Sequence, residues 1–220
     1  MGVEKRAIAR EIAYKHLKAG DSLSWFEDLY SRAGDETSII PWADLAPNPN
    51  LIDWLERNEC TSRGKALKVG CGLGDDSEEL ARRGFETTAF DISASAIAWC
   101  RRRYPQSSVS YVVENIFSAP TEWKAGFHFV LESYTLQVLP PNIRADAVHC
   151  IASFVAPGGT LLVVARGRKS SESKGKMPWP LTKDELSLFK TEGLKEAFFE
   201  DYMDNEDPPV HRFRATYHRE

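Results

Sequence analysis

The chain has 220 residues, 42% hydrophobic and 27% charged, with a formal net charge of −4. That length suits one α/β domain with at most a small N-terminal addition, and the acidic balance gives no electrostatic reason to expect nucleic acid as a partner. No apolar run approaches the roughly 20 residues that span a bilayer, the first residues mix both charge signs without the apolar core of a secretion signal, and Cys60, Cys71, Cys100 and Cys150 include no Cys-x-x-Cys pair, so they read as reduced packing residues rather than metal ligands.

In chain order, Val3, Ile8, Ile12 and Leu17 recur at helical spacing over 3–18. A second helix holds Trp25, Phe26, Leu29 and Tyr30. The turn-rich Ala46-Pro47-Asn48-Pro49-Asn50 breaks regular structure, and a helix with Leu51, Ile52, Trp54 and Leu55 leads to the first strand. Strands are then predicted at 66–70, 85–90, 109–113, 127–132, 159–165, 195–200 and 211–217, with helices at 75–83, 94–104, 142–155 and 182–192. Such alternation predicts an α/β, Rossmann-like fold: a mostly parallel seven-stranded sheet with helices on both faces. The short loop from Asp204 to Pro209 permits only a C-terminal antiparallel hairpin.

The most informative stretch is Val69-Gly70-Cys71-Gly72-Leu73-Gly74-Asp75-Asp76, where a strand ends in alternating glycines and a helix begins. Glycines allow a tight turn and let a ligand lie against bare backbone, and the helix start aims unpaired N–H groups at the same place. Asp91, at the tip of the next strand, is placed to accept the two hydroxyls of a ribose. The dinucleotide fingerprint wants a third glycine where Asp75 stands. Asp75 is expected to cap the helix and to repel a pyrophosphate, so a cationic or zwitterionic ligand suits the turn better.

With these residues the chain resembles the class I S-adenosylmethionine-dependent methyltransferases, above all the small-molecule branch with thiopurine and halide/thiol methyltransferases. The resemblance runs from about Trp25 to the C-terminus and is strongest between Ala66 and Arg168. It implies an N-terminal helical cap or lid over 1–60 and a methyltransferase domain over 61–220. It implies S-adenosyl-L-methionine as cofactor and S-adenosyl-L-homocysteine as product. The expected cofactor contacts are Gly70, Cys71, Gly72 and Gly74 for the methionine part, Asp91 and Ile92 for ribose and one adenine face, and Asn115, Ile116 and Phe117 for the adenine. Ser133 lies near the methyl, and Trp25 and Trp42 close the lid.

On the acceptor side the expectations are Tyr134 to orient or deprotonate the nucleophile, Glu132 as a general base, and Gln137, Arg166 and Trp179 as substrate contacts. The charged loop from Arg166 to Lys176 is expected to cover the site and meet an anionic substrate. Thr182 with Glu185 also makes an ordinary capping box. Lys68 departs from the family pattern, in which an acid at this position helps hold the cofactor's amino group. A lysine cannot accept a hydrogen bond, so either its stem carries the charge to solvent or backbone carbonyls hold the amino group. Asn115 and His128 are further departures.

The expected function is methyl transfer to sulfur, nitrogen or oxygen of a small molecule, in the cytoplasm, by a monomer or weak homodimer. Three alternatives stay open: a binding-only relative acting through a partner, a protein methyltransferase, and a nicotinamide-dependent oxidoreductase, which Asp75 and the C-terminal hairpin disfavour.

Overall fold

The computed structural model describes residues 2–34, 36–58 and 64–220, with side chains from Arg6 onward; Cys60 lies outside the described residues. Strands β1 (Lys65–Val69), β2 (Glu86–Asp91), β3 (Ser110–Val113), β4 (Phe127–Ser133), β5 (Val155–Arg166), β6 (Leu194–Met203) and β7 (His211–Arg219) form one sheet. Their order is β3-β2-β1-β4-β5-β7-β6. Strands β1 to β5 pair in parallel, whereas β7 runs antiparallel to both β5 and β6. Strand order reverses between β1 and β4, which opens a crevice at their carboxyl ends.

The helices are α1 (Gly2–Lys18), α2 (Trp25–Ala33), α3 (Pro49–Arg57), α4 (Asp75–Arg82), α5 (Ala94–Arg103), α6 (Arg144–Phe154) and α7 (Lys183–Thr191). Two-residue periodicity sorts the strands between two cores. Leu67, Val69, Val130, Leu161 and Val163 share one core with residues of α1, α2, α6 and α7. Ala66, Phe129, Leu131, Leu162 and Val164 face the other, with Leu51, Trp54 and Leu55 of α3 and Leu80 of α4. Each buried leucine there contributes about 1.5–3 kcal/mol.

Local chemistry explains most boundaries. Asn48 caps α3 by accepting the Asn50 N–H at 2.9 Å, and Pro49 occupies the first helical position, so the breaker segment is itself a helix start. Thr182 and Glu185 form a reciprocal capping box on α7. Ser93 caps α5 through the Ala96 N–H. Glu27 of α2 accepts the hydroxyls of Ser93 and Ser95 at 2.7 and 2.6 Å, bolting α2 onto the start of α5.

Two expectations are corrected. The residue that caps α4 is Gly74, with no side-chain cap. Asp75 instead makes a two-toothed pair with Arg103 at 2.8 and 2.9 Å and accepts the Tyr104 hydroxyl, because the end of α5 brings a guanidinium within reach. Its charge is therefore already matched, and electrostatic repulsion of a pyrophosphate loses most of its force. Strand β5 begins at Val155, earlier than predicted, where its pairing with β4 shifts register between Phe127 and Phe129.

Candidate functional site

A cavity of about 870 Å³ opens at the carboxyl ends of β1 and β4. Its floor is the glycine turn. Gly70 and Gly72 both have φ of +56°, a region costly for a residue with a Cβ. A Cβ on Gly70 would stand 2.5 Å from Thr135 Oγ1, and one on Gly72 would stand 3.2 Å from the Tyr30 hydroxyl. Tyr30 and Trp42 close over the turn, joined by a hydrogen bond from the Trp42 indole N–H to the Tyr30 oxygen at 2.6 Å.

Asp91 lines the same end of the cavity and is almost fully buried. One carboxylate oxygen accepts the Gly72 N–H and the other the Ser93 N–H, each at 3.0 Å. The Ile92 main chain also contacts the carboxylate, so of its roughly four acceptor directions about one stays open for a ligand hydroxyl. Burial pushes the Asp91 carboxyl above its ordinary range, against these amides. Ile92, Asn115 and Ile116 line the wall beside it. The Asn115 side-chain oxygen accepts the Phe117 N–H at 3.0 Å, which leaves its amide N–H groups to address a ligand edge.

Lys68 stays in the wall instead of reaching solvent: it is 3% exposed. Its ammonium donates to the carbonyls of Val69 at 2.8 Å and Gly70 at 3.2 Å. Its charge also acts on three carboxyl groups, the half-buried Asp76 and the buried Asp91 and Glu132, favouring their ionised forms.

Beyond the turn the cavity becomes polar. Tyr134 lies there in a left-handed conformation, φ +64°, with the Arg212 guanidinium 5.1 Å from its ring centroid. Burial raises the Tyr134 phenol above its ordinary range, so it stays protonated at neutral pH. Gln137 lines the wall, and its side-chain oxygen accepts the Arg166 N–H at 2.7 Å. The Ser133 hydroxyl accepts from the Asn48 side chain at 3.0 Å.

The structure brings together Gly70, Cys71, Gly72, Asp91, Ile92, Asn115, Ile116, Ser133, Trp42, Tyr134, Gln137 and Arg166 around this one cavity. Five expected contacts lie elsewhere. Trp25 is wholly buried behind the wall, stacked on Phe26, and Phe26 faces the cavity in its place. Gly74 packs against Tyr111 and Cys100. Phe117 packs on the core. Trp179 donates its backbone N–H to Gln137 O and lies beside Arg144, while Met177 and Pro178 supply the wall. Glu132 is fully buried off the cavity, where one oxygen accepts the N–H groups of Thr135 and Leu136 at 2.8 and 2.9 Å. It shapes the turn after β4, and burial pushes its carboxyl up to about 7.

The prediction also passed over the C-terminal hairpin and the start of α3. Arg212 and Arg214 of β7, Tyr202 of β6 and Asn50 of α3 all line the polar end. A signal is visible for the arginines: Arg212 and Arg214 flank Phe213 in a strand whose alternate positions are polar through Thr216 and His218. Such charges need partners. Arg212 has Asp204 and Glu206, and Arg214 has Asp53 and Glu200.

Residues 66–159 match the family model described as a methyltransferase domain. Over 137 residues the chain is 31% identical to a ubiquinone biosynthesis O-methyltransferase of Azotobacter vinelandii, covering 61% of this chain and 57% of that one. Over residues 66–159, a little under half of the chain, the sequence is similar to methyltransferase domains. It spans little more than half the length of the curated relatives it matches. The same fold recurs in two solved structures. One is the N-methyltransferase NodS of Bradyrhizobium japonicum, with TM-score 0.69, 19% identity and coverage of 88% and 97%. The other is the 1,6-didemethyltoxoflavin-N1-methyltransferase of Burkholderia thailandensis, with TM-score 0.69, 16% identity and coverage of 88% and 87%.

The residues present fit S-adenosylmethionine. The bare backbone at Gly72 leaves a cradle that a Cβ would fill, and the buried Asp91 carboxylate keeps acceptor capacity beyond its main-chain partners. Among the described residues no cluster of His, Cys, Asp or Glu has metal-binding geometry, and no helix is long and apolar enough to cross a membrane.

Proposed function

We propose that this chain transfers a methyl group from S-adenosylmethionine to a sulfur, nitrogen or oxygen nucleophile of a small molecule. One observation carries the reading: a single cavity runs from the buried Asp91 carboxylate and the glycine turn to the polar chamber around Tyr134. The cofactor, when bound, supplies an electrophilic methyl on a sulfonium, and in-line displacement then needs alignment and exclusion of water.

The chain's own residues meet those needs in separate places. Asp91 holds the sugar, Ile92 and Ile116 flank the base, and Asn115 meets its edge. The backbone of Gly70, Cys71 and Gly72 carries the amino-acid part. Tyr134, protonated, donates a hydrogen bond that orients the acceptor; Glu132, buried off the cavity with one oxygen on backbone amides, shapes the turn beside it. Residues of 1–60 serve as the cap, with Phe26, Tyr30 and Trp42 excluding water from the turn. The reading places the protein in a soluble compartment, the cytoplasm, as a monomer or weak homodimer.

Calorimetric titration with S-adenosylhomocysteine, followed by a methyl-donor turnover assay over thiol, amine and phenol acceptors, tests it. Binding with turnover is expected. A second reading, a cofactor-binding protein without catalysis, draws support from Lys68, whose ammonium already occupies the Gly70 carbonyl. Binding without turnover on any acceptor would favour that reading.

A further inference from the structure

Six cationic side chains line the cavity among the described residues: Arg6, Arg57, Lys68, Arg166, Arg212 and Arg214. Four have partners in the protein. Arg212 and Arg214 each bind two carboxylates, Arg57 bridges Asp53 and Glu200, and Lys68 donates to two carbonyls. The guanidinium of Arg166 makes no hydrogen bond or ion pair among the described residues, and neither does that of Arg6.

Their placement makes this costly. Arg166 ends β5 directly opposite Arg212 of β7 in the antiparallel register, so two like charges face each other across the pair. The Arg166 main chain is fixed on both sides, by N–H donation to Gln137 and by its carbonyl accepting the Leu181 N–H at 2.8 Å. Helix α1 brings Arg6 to the same chamber, and Arg10 on that helix donates to Met177 O of the chamber wall. Glu206, the acidic group whose charge favours Arg166, is itself committed to Arg212. Burial, with repulsion from Arg6 and Arg212, holds the Arg166 guanidinium below its ordinary range. A half-buried, unpaired guanidinium on rigid backbone is a fork that matches the two oxygens of a carboxylate or phosphate.

We propose that the methyl acceptor is a small anion whose carboxylate or phosphate group is held by Arg166 with Arg6, beside Tyr134. This rests on the methyl-transfer reading for the identity of the chamber as the acceptor site. The charged loop after Arg166 plays no part in it: residues 167–176 do not line the cavity, and Arg168 is tied to Pro180 O and Glu185.

The test is calorimetric titration of the full chain, saturated with S-adenosylhomocysteine, with 4-mercaptobenzoate, 3-mercaptopropionate and phenyl phosphate. Each is compared with its uncharged ester. At least one acid should bind about tenfold or more tightly than its ester, and added salt should erode that preference. Arg166→Gln should abolish the preference while S-adenosylhomocysteine affinity stays within about twofold, and Arg166→Lys should restore part of it. Arg6→Gln, on a separate helix, should weaken the same acid and guards against misfolding of the first variant. Carboxylate and phosphate probes distinguish the two anion types. Equal binding of every acid and ester, no binding by any acid, or a preference untouched in Arg166→Gln would overturn the proposal. Failure of S-adenosylhomocysteine to bind the unaltered protein would strike the methyl-transfer reading instead, and the acid–ester comparison on the ligand-free chain would still report the anion site.

Discussion

The ammonium of Lys68 donates to the carbonyl of Gly70 at 3.2 Å, across the entrance to the glycine turn. A cation thus stands where the family resemblance leads one to expect an acid, and its charge acts on Asp76, Asp91 and Glu132. An incoming ligand ammonium would meet an acceptor already in use and a like charge beside it. Lys68→Met removes both obstacles but strips the three carboxylates of their cation. The variant should be less stable in chemical denaturation, since the ammonium's two carbonyl contacts and its charge are lost, yet bind S-adenosylhomocysteine several-fold more tightly. Weaker binding would show that Lys68 itself contacts the ligand. Lys68→Glu is the poorer choice, since it would bury a fourth carboxylate among three.

Asp91 holds the turn and, in the proposed function, the ligand's sugar, so its replacement should act on both. Asp91→Asn keeps one acceptor for a backbone amide and loses charge-assisted hydrogen bonds to ligand hydroxyls. We expect a loss of about 1.5–3 kcal/mol in S-adenosylhomocysteine binding, with Asp91→Ala also lowering the melting temperature because the Gly72 and Ser93 amides lose their partner. Unaltered affinity in both variants would remove Asp91 from the ligand site.

Gly72→Ala tests the cradle. The added methyl would sit at φ +56° and 3.2 Å from the Tyr30 hydroxyl. Backbone strain alone costs about 1–2 kcal/mol, and the methyl fills the place where ligand must lie. Cofactor binding should fall far more than stability does. A variant that is destabilised yet binds normally would place the ligand elsewhere.

Glu132 gives the pH signature. Its carboxyl titrates near 4.5 when free and is pushed up to about 7 by burial. Below 4.5 it is protonated in both states; between 4.5 and 7 the unfolded chain holds fewer protons, so stability falls as pH rises, and it levels off above 7. A shift of that size corresponds to about 3 kcal/mol. Denaturation of the unaltered chain and Glu132→Gln at pH 5, 6, 7 and 8 should show the variant losing that part of the decline. Parallel pH profiles would refute the assignment, while a rate profile tracking the same group would restore Glu132 as a proton acceptor.

The chain by itself determined the order of strands and helices, the antiparallel closure and most of the residues that gather at the glycine-turn end of the cavity. These depend on local rules: strand periodicity, glycine at positive φ, a loop too short for a crossover, and an acid at a strand tip. The polar end was decided by the tertiary structure. Residues from α1, α3 and the ends of β4, β5, β6 and β7 meet there only after the sheet has formed, so no spacing along the chain connects Arg6, Asn50, Tyr134, Arg166 and Arg212. Direction within an element was equally hidden. Trp25 and Phe26 are neighbours in sequence, but a helix turns successive residues by about 100°, and only packing against the sheet chose which ring faced the cavity. Glu132 and Lys68 could be located at their strand ends beforehand; what each carboxylate or ammonium touches depended on the backbone amides, carbonyls and charges that the neighbouring strands and turns carried into reach.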